Sequence, residues 1–480
     1  MKKIFFTILS FIGILGMTSC SDFTDVKPKG SNLLQTVTDL EMLLNREFQG
    51  IKATQQQLLA GDLYPLEQIP AVISRPNATI TKIFTTWDEA AHAKEQLDLT
   101  QSDAHYSEFY QVIGRIANPI LMNIDAAEGD DALRNQVKCE ALVLRAYFHY
   151  LLVQKFAKAY DPAYASTTLA IPYLKEKQEL LETIPQLTLE EVYTNILNDL
   201  DEAIGLNGLP EEPINQMRGS LPFAYAVKAM ALMAMQRYDE AATAANAVLA
   251  INPVVSDYND YVRDTPSPIM SNYKFPVIHR PFMTCEEDIF VTRDIVGQMG
   301  ISNEAWERFE DGHICRDRLM NGDMLIPGNT SLGMAYFGMN IKFSYDMDSK
   351  WNTFGLKTSQ MRLILAECEI LKGNIDKAME QLDMLREKRI VADQYAPLKG
   401  TVTTKEEAIK HLKQTSHGEN IYTYYNFVER KRWTRMADFK ETLTREVDGK
   451  TYKLTPESDM WIFPFPQNVL SLNPSIQQNY

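Results

Sequence analysis

Amphipathic segments with a helical period follow one another along most of this 480-residue chain, and they constrain its fold more than any other feature. Apolar residues recur every three to four positions, as expected of helices buried on one side. The predicted helices are Thr38–Asn45, Ala104–Glu128, Ala132–Phe156, Thr188–Ile204, Leu221–Gln236, Asp239–Ala250, Thr358–Lys372 and Asp376–Ile390. Thr188 and Glu191 form a capping box, and Ser220 precedes Pro222 in a first turn. The sequence therefore predicts a mainly α fold built from helical hairpins in series.

Two of these hairpins resemble each other. Aligning Tyr238–Ala241 with Ile375–Ala378 places Ala229 opposite Ala366, twelve residues upstream of the last alanine in each case. Small side chains at such places are typical of tetratricopeptide hairpins, because the two helices cross closely there. More than a hundred residues separate the two hairpins. We therefore expect a tetratricopeptide-type scaffold interrupted by a long insert.

The predicted insert covers residues 254–355 and differs from the helical segments in composition and periodicity. It is rich in proline, glycine and aromatic residues, and no helical period runs through it. Loop-rich segments on a rigid frame commonly carry binding residues. We expect one domain over residues 38–480, with helical repeats at about 38–253 and 356–440 on either side of the insert. An irregular closure is expected at about 441–480.

The N-terminus has the pattern of an export signal. Lys2 and Lys3 precede the apolar run Ile4–Met17, which is shorter than the about 20 apolar residues of a membrane-spanning helix. Small residues then lead to Cys20, as in a bacterial lipobox. We expect residues 1–19 to be a lipoprotein signal peptide and residues 20–37 a lipidated tether. Two or three acyl chains on Cys20 would hold the protein stably at a membrane.

Charge and motif content narrow the function. Lysine and arginine number 48 against 63 acidic residues, a net charge of −15 that argues against nucleic acid as a partner. The five cysteines have neither metal-site nor disulfide-framework spacing. The sequence contains no phosphate-binding loop, no nucleophile elbow and no zinc-protease motif. We therefore predict no catalytic residues, no metal and no cofactor.

Aromatic residues on loops suggest binding without catalysis. An aromatic ring offers a flat apolar surface on which the C–H face of a sugar can stack, while neighbouring polar groups take the hydroxyls. Trp306, Tyr336 and Trp351 lie in the insert, and Trp87 follows a threonine-rich run. Each could equally be a core residue.

Several strings in order resemble the SusD/RagB family of Bacteroidetes nutrient-binding lipoproteins. They are the helix Glu140–Phe148, then Arg218-Gly219-Ser220, then Arg362–Cys368, and near the end Arg432-Trp433 and Phe463–Pro466. One departure occurs where the helix beginning Thr404–Ile409 reaches His417-Gly418 instead of the family pattern. Each string is short, but the ordered set runs from the lipobox to the last residues.

The resemblance implies a lipid-anchored protein of the outer membrane, facing the cell exterior, that holds a glycan for import. Its implied partner is a SusC-like TonB-dependent transporter. The family's ligand platform maps onto Gly61–Trp87 and Val254–Trp351 in this chain. The glycan-binding candidates in these regions are Asp62, Arg75, Trp87, Trp306, Tyr336 and Trp351, and the resemblance also implies lipid on Cys20.

Three other readings stay open from the sequence. The same scaffold could bind peptides or glycopeptides for uptake. A periplasm-facing tetratricopeptide adaptor would use the helical repeats instead of the insert. A lipid-anchored hydrolase would require an acid pair, which 63 acidic residues do not exclude by number alone.

Overall fold

The computed structural model of the chain describes residues 34–48, 52–64, 79–92, 100–177, 183–266, 274–278, 285–295, 300–319, 350–447 and 449–479. The predicted signal peptide, Cys20 and most of the tether lie outside these residues, as do Arg75 and Tyr336. Within the described ranges, no helix is long and apolar enough to cross a membrane.

The described chain is mainly helical, which confirms the predicted fold class. In chain order the helices are α1 (Val37–Leu44), α2 (Thr54–Leu59), α3 (Ile80–Thr86), α4 (Ala104–Val112), α5 (Asn118–Asn123), α6 (Asp131–Phe156), α7 (Leu189–Gly205), α8 (Leu221–Ala234), α9 (Tyr238–Ile251), α10 (Asn303–Glu307), α11 (Thr358–Lys372), α12 (Ile375–Arg386), α13 (Lys405–Asn420), α14 (Tyr425–Trp433) and α15 (Gln467–Leu472).

The predicted caps are present. Thr188 and Glu191 form the capping box at the start of α7, and the Ser220 hydroxyl accepts from the Phe223 N–H at the start of α8. The helix predicted over Ala104–Glu128 is instead divided by a π-helical turn, Ile113–Ala117, between α4 and α5. Pro119 follows that turn; it has no N–H, and its ring crowds the carbonyl four residues earlier, so a widened turn accommodates it.

The two aligned hairpins pack against each other. Helix α8 packs on α9, α11 packs on α12, and α9 lies directly against α11. Ala229 and Ala366 are both fully buried, as the close helix crossing requires. The repeat is therefore continuous in space although the insert divides it in sequence.

Short antiparallel ladders organise the insert and the C-terminus. The strands are β1 (Leu63–Tyr64), β2 (Val262–Pro266), β3 (Lys274–Ile278), β4 (Asp288–Phe290), β5 (Arg293–Ile295), β6 (Gly300–Ile301), β7 (Lys350–Asn352), β8 (Leu356–Lys357), β9 (Leu443–Val447) and β10 (Lys450–Leu454). The pairs are β1 with β6, β2 with β3, β4 with β8, β5 with β7 and β9 with β10. The β4–β8 pair joins the interior of the insert to the residues that immediately precede α11.

The C-terminal segment closes the molecule over the end of α6. The segment Trp461–Pro466, predicted as a strand or an extended stretch, follows a 3₁₀ turn at Asp459–Trp461 and joins none of the described strands. The Phe463 N–H donates to the carbonyl of Lys155 in the last turn of α6, at 3.0 Å. This contact satisfies one of the carbonyls that a helix C-terminus leaves unpaired.

Candidate functional site

The two regions predicted to carry ligand residues meet in the structure. Strand β1 pairs with β6 of the insert, with Leu63 opposite Ile301. Ser302 strengthens the junction, because its N–H donates to the Asp62 carbonyl at 2.9 Å and its hydroxyl to the Gly61 carbonyl at 2.6 Å. Gly61 has a φ of +79°, a left-handed conformation that glycine adopts without steric cost. We call the surface around this junction the platform, defined by Gly61–Tyr64 and Gly300–Phe309.

Trp306 lies on the platform in the short helix α10. Ser302 is the N-cap of that helix and accepts from the Ala305 N–H at 3.0 Å. The Trp306 side chain is partly exposed, and the Arg316 guanidinium lies 4.2 Å from the centre of its ring. Arg316 is in turn paired with Asp311. Such cation–π stacking holds the indole in one orientation, so Trp306 presents a preorganised aromatic surface.

Trp87 lies at the platform's inner side and is buried, with 5% of its surface exposed. Its indole N–H donates to the Leu59 carbonyl at 2.9 Å, and Arg445 stacks on its ring at 4.6 Å. The aromatic surface of Trp87 is thereby used in internal packing, so this residue supports the Gly61 turn from within.

Asp62 is fully buried below the platform. One carboxylate oxygen accepts from the Asn426 amide at 2.6 Å, and the other lies 3.7 Å from the Arg308 guanidinium. Burial raises the pKa of Asp62, and the positive charges of Arg430 and Arg308 oppose that rise. The side chain of Asp62 therefore belongs to an internal polar network that joins the platform to α14.

Arg308 is a candidate that the sequence reasoning missed. It lies two residues after Trp306, and 24% of its side chain is exposed. Burial lowers its pKa to about 9, and repulsion from Arg430 adds to that effect. A guanidinium carries five N–H donors, so Arg308 can donate to hydroxyl groups next to the aromatic surface. The sequence signal that could have identified Arg308 is its position two residues after Trp306 in the insert.

The remaining candidates are only partly described. The backbone of Trp351 lies in β7, opposite Asp294 of β5, and its side chain lies outside the described part. The Asn352 side chain accepts from the Thr292 N–H at 3.0 Å and donates to the Phe290 carbonyl at 2.9 Å, which fixes this strand. The structure thus brings Asp62, Trp87 and Trp306 to one junction.

The fold and the platform together define a tetratricopeptide-type helical scaffold with a loop-built, aromatic insert. Residues 22–232 match the model of a SusD-like family described as starch-binding and associating with the outer membrane. No protein of curated function matches the sequence. The family match lies in the N-terminal half and includes α6, which carries the string Glu140–Phe148.

Solved structures share the fold over nearly the whole chain. A SusD-like carbohydrate-binding protein from Bacteroides vulgatus is 15% identical, with a TM-score of 0.64 over 93% of this chain and 98% of its own. A SusD superfamily protein from Bacteroides thetaiotaomicron is 17% identical, with a TM-score of 0.65 over 93% and 100%. Surface glycan-binding protein A from Bacteroides uniformis is 16% identical, with a TM-score of 0.58 over 81% and 88%. The family match over residues 22–232 supports the SusD-like resemblance that the sequence motifs predict, and the solved structures show that the shared fold extends over nearly the whole chain.

Proposed function

We propose that this protein is a non-catalytic, cell-surface lipoprotein that binds an oligo- or polysaccharide on the platform and delivers it to a SusC-like TonB-dependent transporter. The observation that carries the proposal is the β1–β6 junction, which joins the two predicted ligand regions around the partly exposed Trp306. The family's description as starch-binding and the carbohydrate-binding relatives support a glycan as the ligand.

The chemistry of the platform suits a neutral or weakly polar sugar surface. The indole of Trp306 offers an apolar face for C–H groups, and Arg308 and Arg316 offer hydrogen-bond donors beside it. Trp351 of the insert, together with Arg75 and Tyr336, completes the set of proposed contacts. Asp62 and Trp87, which are buried, would act by holding the platform in shape.

The two buried histidines near the platform, His313 and His417, are poorly suited to act as general bases. A general base works best with a pKa near the operating pH, but burial lowers the pKa of His417 well below its usual value and that of His313 to about 3. Asp62 is enclosed by Asn426 and Arg308. Among the described residues, no group of His, Cys, Asp and Glu could hold a metal ion.

The anchor and the partner follow from the N-terminal motif and the family. Lipid on Cys20 would attach the protein to the outer membrane, and the family's association with that membrane supports this location. The proposed tether, residues 20–37, would join the lipid to the helical body that meets the transporter.

Affinity electrophoresis through gels containing starch and a panel of other polysaccharides tests the proposal. The wild-type protein should be retarded by at least one glycan, and Trp306→Ala should weaken that binding about tenfold, since an aromatic stacking contact contributes about 1.5 kcal/mol. Tyr164→Ala is the matched control, because Tyr164 is an exposed aromatic residue outside the platform. Retardation by no glycan, or equal loss in both variants, would count against the proposal.

Further assays separate the alternatives left open by the sequence. Calorimetry with peptides and glycopeptides would redirect the proposal if these bind and glycans do not. Protease shaving of intact cells should cleave the protein; complete protection would favour a periplasm-facing adaptor. Release of reducing ends from a bound glycan would instead identify a hydrolase.

A further inference from the structure

A buried amide joins the inner side of the platform to the helical scaffold. Asn426, in α14, has two N–H donors on its side-chain nitrogen Nδ2. One reaches the Asp62 carboxylate at 2.6 Å, and the other reaches Nδ1 of His417 at 3.3 Å. A carboxylate only accepts, so the amide must direct its nitrogen, not its oxygen, towards Asp62. This requirement determines the direction of the hydrogen bonds that follow.

His417 continues the same donor-to-acceptor order of hydrogen bonds. Because Nδ1 accepts from Asn426, the proton of the neutral imidazole is on Nε2. That N–H donates to the carbonyl of Ala305 at 2.8 Å. Ala305 is the residue before Trp306 in α10. A series of hydrogen bonds thus runs from Asp62 and Asn426 through His417 to α10, the helix that carries the partly exposed Trp306.

The three side chains in this hydrogen-bond series are nearly inaccessible to water, with exposures of 0% for Asp62, 2% for Asn426 and 1% for His417. The Phe309 ring packs against His417 at 4.8 Å between ring centres. Without the His417 N–H, the buried Ala305 carbonyl would keep only the longer bond from the Arg308 N–H, at 3.3 Å. Helix α10 has only five residues, too few to be stable alone, so its orientation depends on such external bonds.

We propose that His417 and Asn426 are positioning residues of the platform, which hold α10 and therefore Trp306 in the orientation that receives the ligand. Neither residue contacts the ligand itself. Their effect on glycan affinity rests on the proposed function, whereas their effect on α10 can be measured without any ligand.

Hydrogen exchange of the mature protein measures the positioning directly. His417→Leu removes the donor to Ala305, and the amides of residues 302–309 should then exchange about tenfold faster. His417→Gln keeps an N–H donor at a similar reach and should stay within about threefold of the wild type. His149→Leu is the matched control, because His149 is an equally buried histidine whose partners, Arg145 and Leu174, are remote from α10 in sequence. The control should leave exchange at residues 302–309 unchanged.

A second variant tests whether the hydrogen bonds of Asp62, Asn426 and His417 act together. Asn426→Ser shortens the side chain so that it cannot reach both Asp62 and His417, and it should speed exchange in the same segment. Combining Asn426→Ser with His417→Leu should add little to the larger single effect, because both break one chain of bonds. If His417→Leu does not fold, Asn426→Ser and His417→Gln carry the comparison.

Glycan affinity of the same variants completes the experiment, with the polysaccharide that retards the wild type as the probe. His417→Leu should weaken binding about as much as Trp306→Ala, and His417→Gln should restore it. The inference is overturned if His417→Leu or Asn426→Ser leaves exchange at residues 302–309 at the wild-type rate, or if His417→Gln is as damaging as leucine. If the variants exchange faster as predicted but the wild-type protein binds no glycan, the result contradicts the proposed function and leaves the positioning role intact.

Discussion

At the scale of single residues, the strings that resemble the family are pairs that meet in space. Glu140 of α6 accepts from Arg218 at 2.7 and 3.0 Å and from the Gly219 N–H at 3.2 Å. A side chain at Gly219 would lie 2.9 Å from Glu140, so glycine is required there. Likewise Glu367 accepts two bonds from Arg432, each 2.6 Å long. Distant strings in the sequence are therefore partners in buried ion pairs.

A second buried network attaches the insert to the scaffold. Arg389, after α12, lies 3.0 Å from Glu287 of the insert and 2.5 Å from Glu419 of α13. Lys357, at the start of α11, lies 3.5 Å from the same Glu419. Attraction to Arg389 and Lys357 opposes the effect of burial and lowers the pKa of Glu419. Its carboxylate therefore contributes stability while it is ionised.

Glu419→Gln should destabilise the protein by about 3 kcal/mol at pH 7, because it leaves two buried cations short of a partner. Since the folded-state pKa is lowered, the penalty is fully present above the unfolded pKa of about 4.3 and declines by about 1.4 kcal/mol for each pH unit below it. Urea unfolding between pH 3 and 8 measures this. Glu380→Gln removes an exposed pair with Lys399 and should cost under about 1 kcal/mol. A penalty that stays constant with pH would refute the assignment.

Residue roles at the platform were harder to predict than residue positions. The sequence indicated Asp62 and Trp87 because a carboxylate and an indole in a loop region suit sugar recognition. Their burial depends on Asn426 and Arg445, more than 350 residues further along the chain. A pattern of neighbouring residues contains no information on such partners; it was the family resemblance that implied a shared ligand platform for these two residues and the insert.

At the scale of elements, the two repeated hairpins turn at equivalent positions. Gly373 ends α11 with a φ of +80°, and the aligned residue Gln236 ends the first hairpin's helix with a φ of +61°. A left-handed conformation costs a residue with a Cβ about 1–2 kcal/mol, and glycine avoids this cost. One hairpin thus has the preferred turn residue and the other does not.

Gln236→Gly should therefore stabilise the protein by about 0.5–1 kcal/mol, and Gly373→Ala should destabilise it by about 1 kcal/mol. A Cβ at Gly373 would contact nothing within 4 Å, so backbone strain alone is measured. Gly205→Ala is the control of opposite sign: Gly205 lies in α7 without a positive φ, and alanine there should stabilise by about 0.5–1 kcal/mol. Denaturant unfolding measures the free energy of unfolding of the three variants. Destabilisation by Gln236→Gly would contradict the turn assignment.

Helices were predictable where strands were not. The boundaries of α11 match the predicted Thr358–Lys372, because a helical period is a local pattern. Strands β1 and β6 have two residues each and lie more than 200 residues apart, so no local pattern announces them. Gly418, where the sequence departs from the family pattern, does not end α13. A Cβ there would lie 2.8 Å from the His313 ring, so this glycine permits close packing.

At the scale of the whole molecule, the insert interrupts the repeat in sequence but not in space. Helices α9 and α11 lie against each other, and the Thr358 hydroxyl at the start of α11 donates to the carbonyl of Val254, the first residue of the insert. The buried ion pair between Arg389 and Glu287 joins the insert to the segment that follows α12. Because the hairpin stack is continuous, loops of the insert can differ in sequence without changing the scaffold that carries the platform.

Attachment to the membrane is the prediction that belongs to the complete protein. The anchor expected from the N-terminal motif is lipid on Cys20, and each buried CH₂ contributes about 0.8 kcal/mol to membrane binding. Cys20→Ser should release the protein into the soluble fraction and abolish incorporation of labelled fatty acid. Cys139→Ser is the control, because Cys139 is buried in α6 and should affect stability but not attachment. Membrane association and labelling that persist in Cys20→Ser would refute the lipobox assignment, and glycan binding by the released protein would show that the platform functions without its anchor.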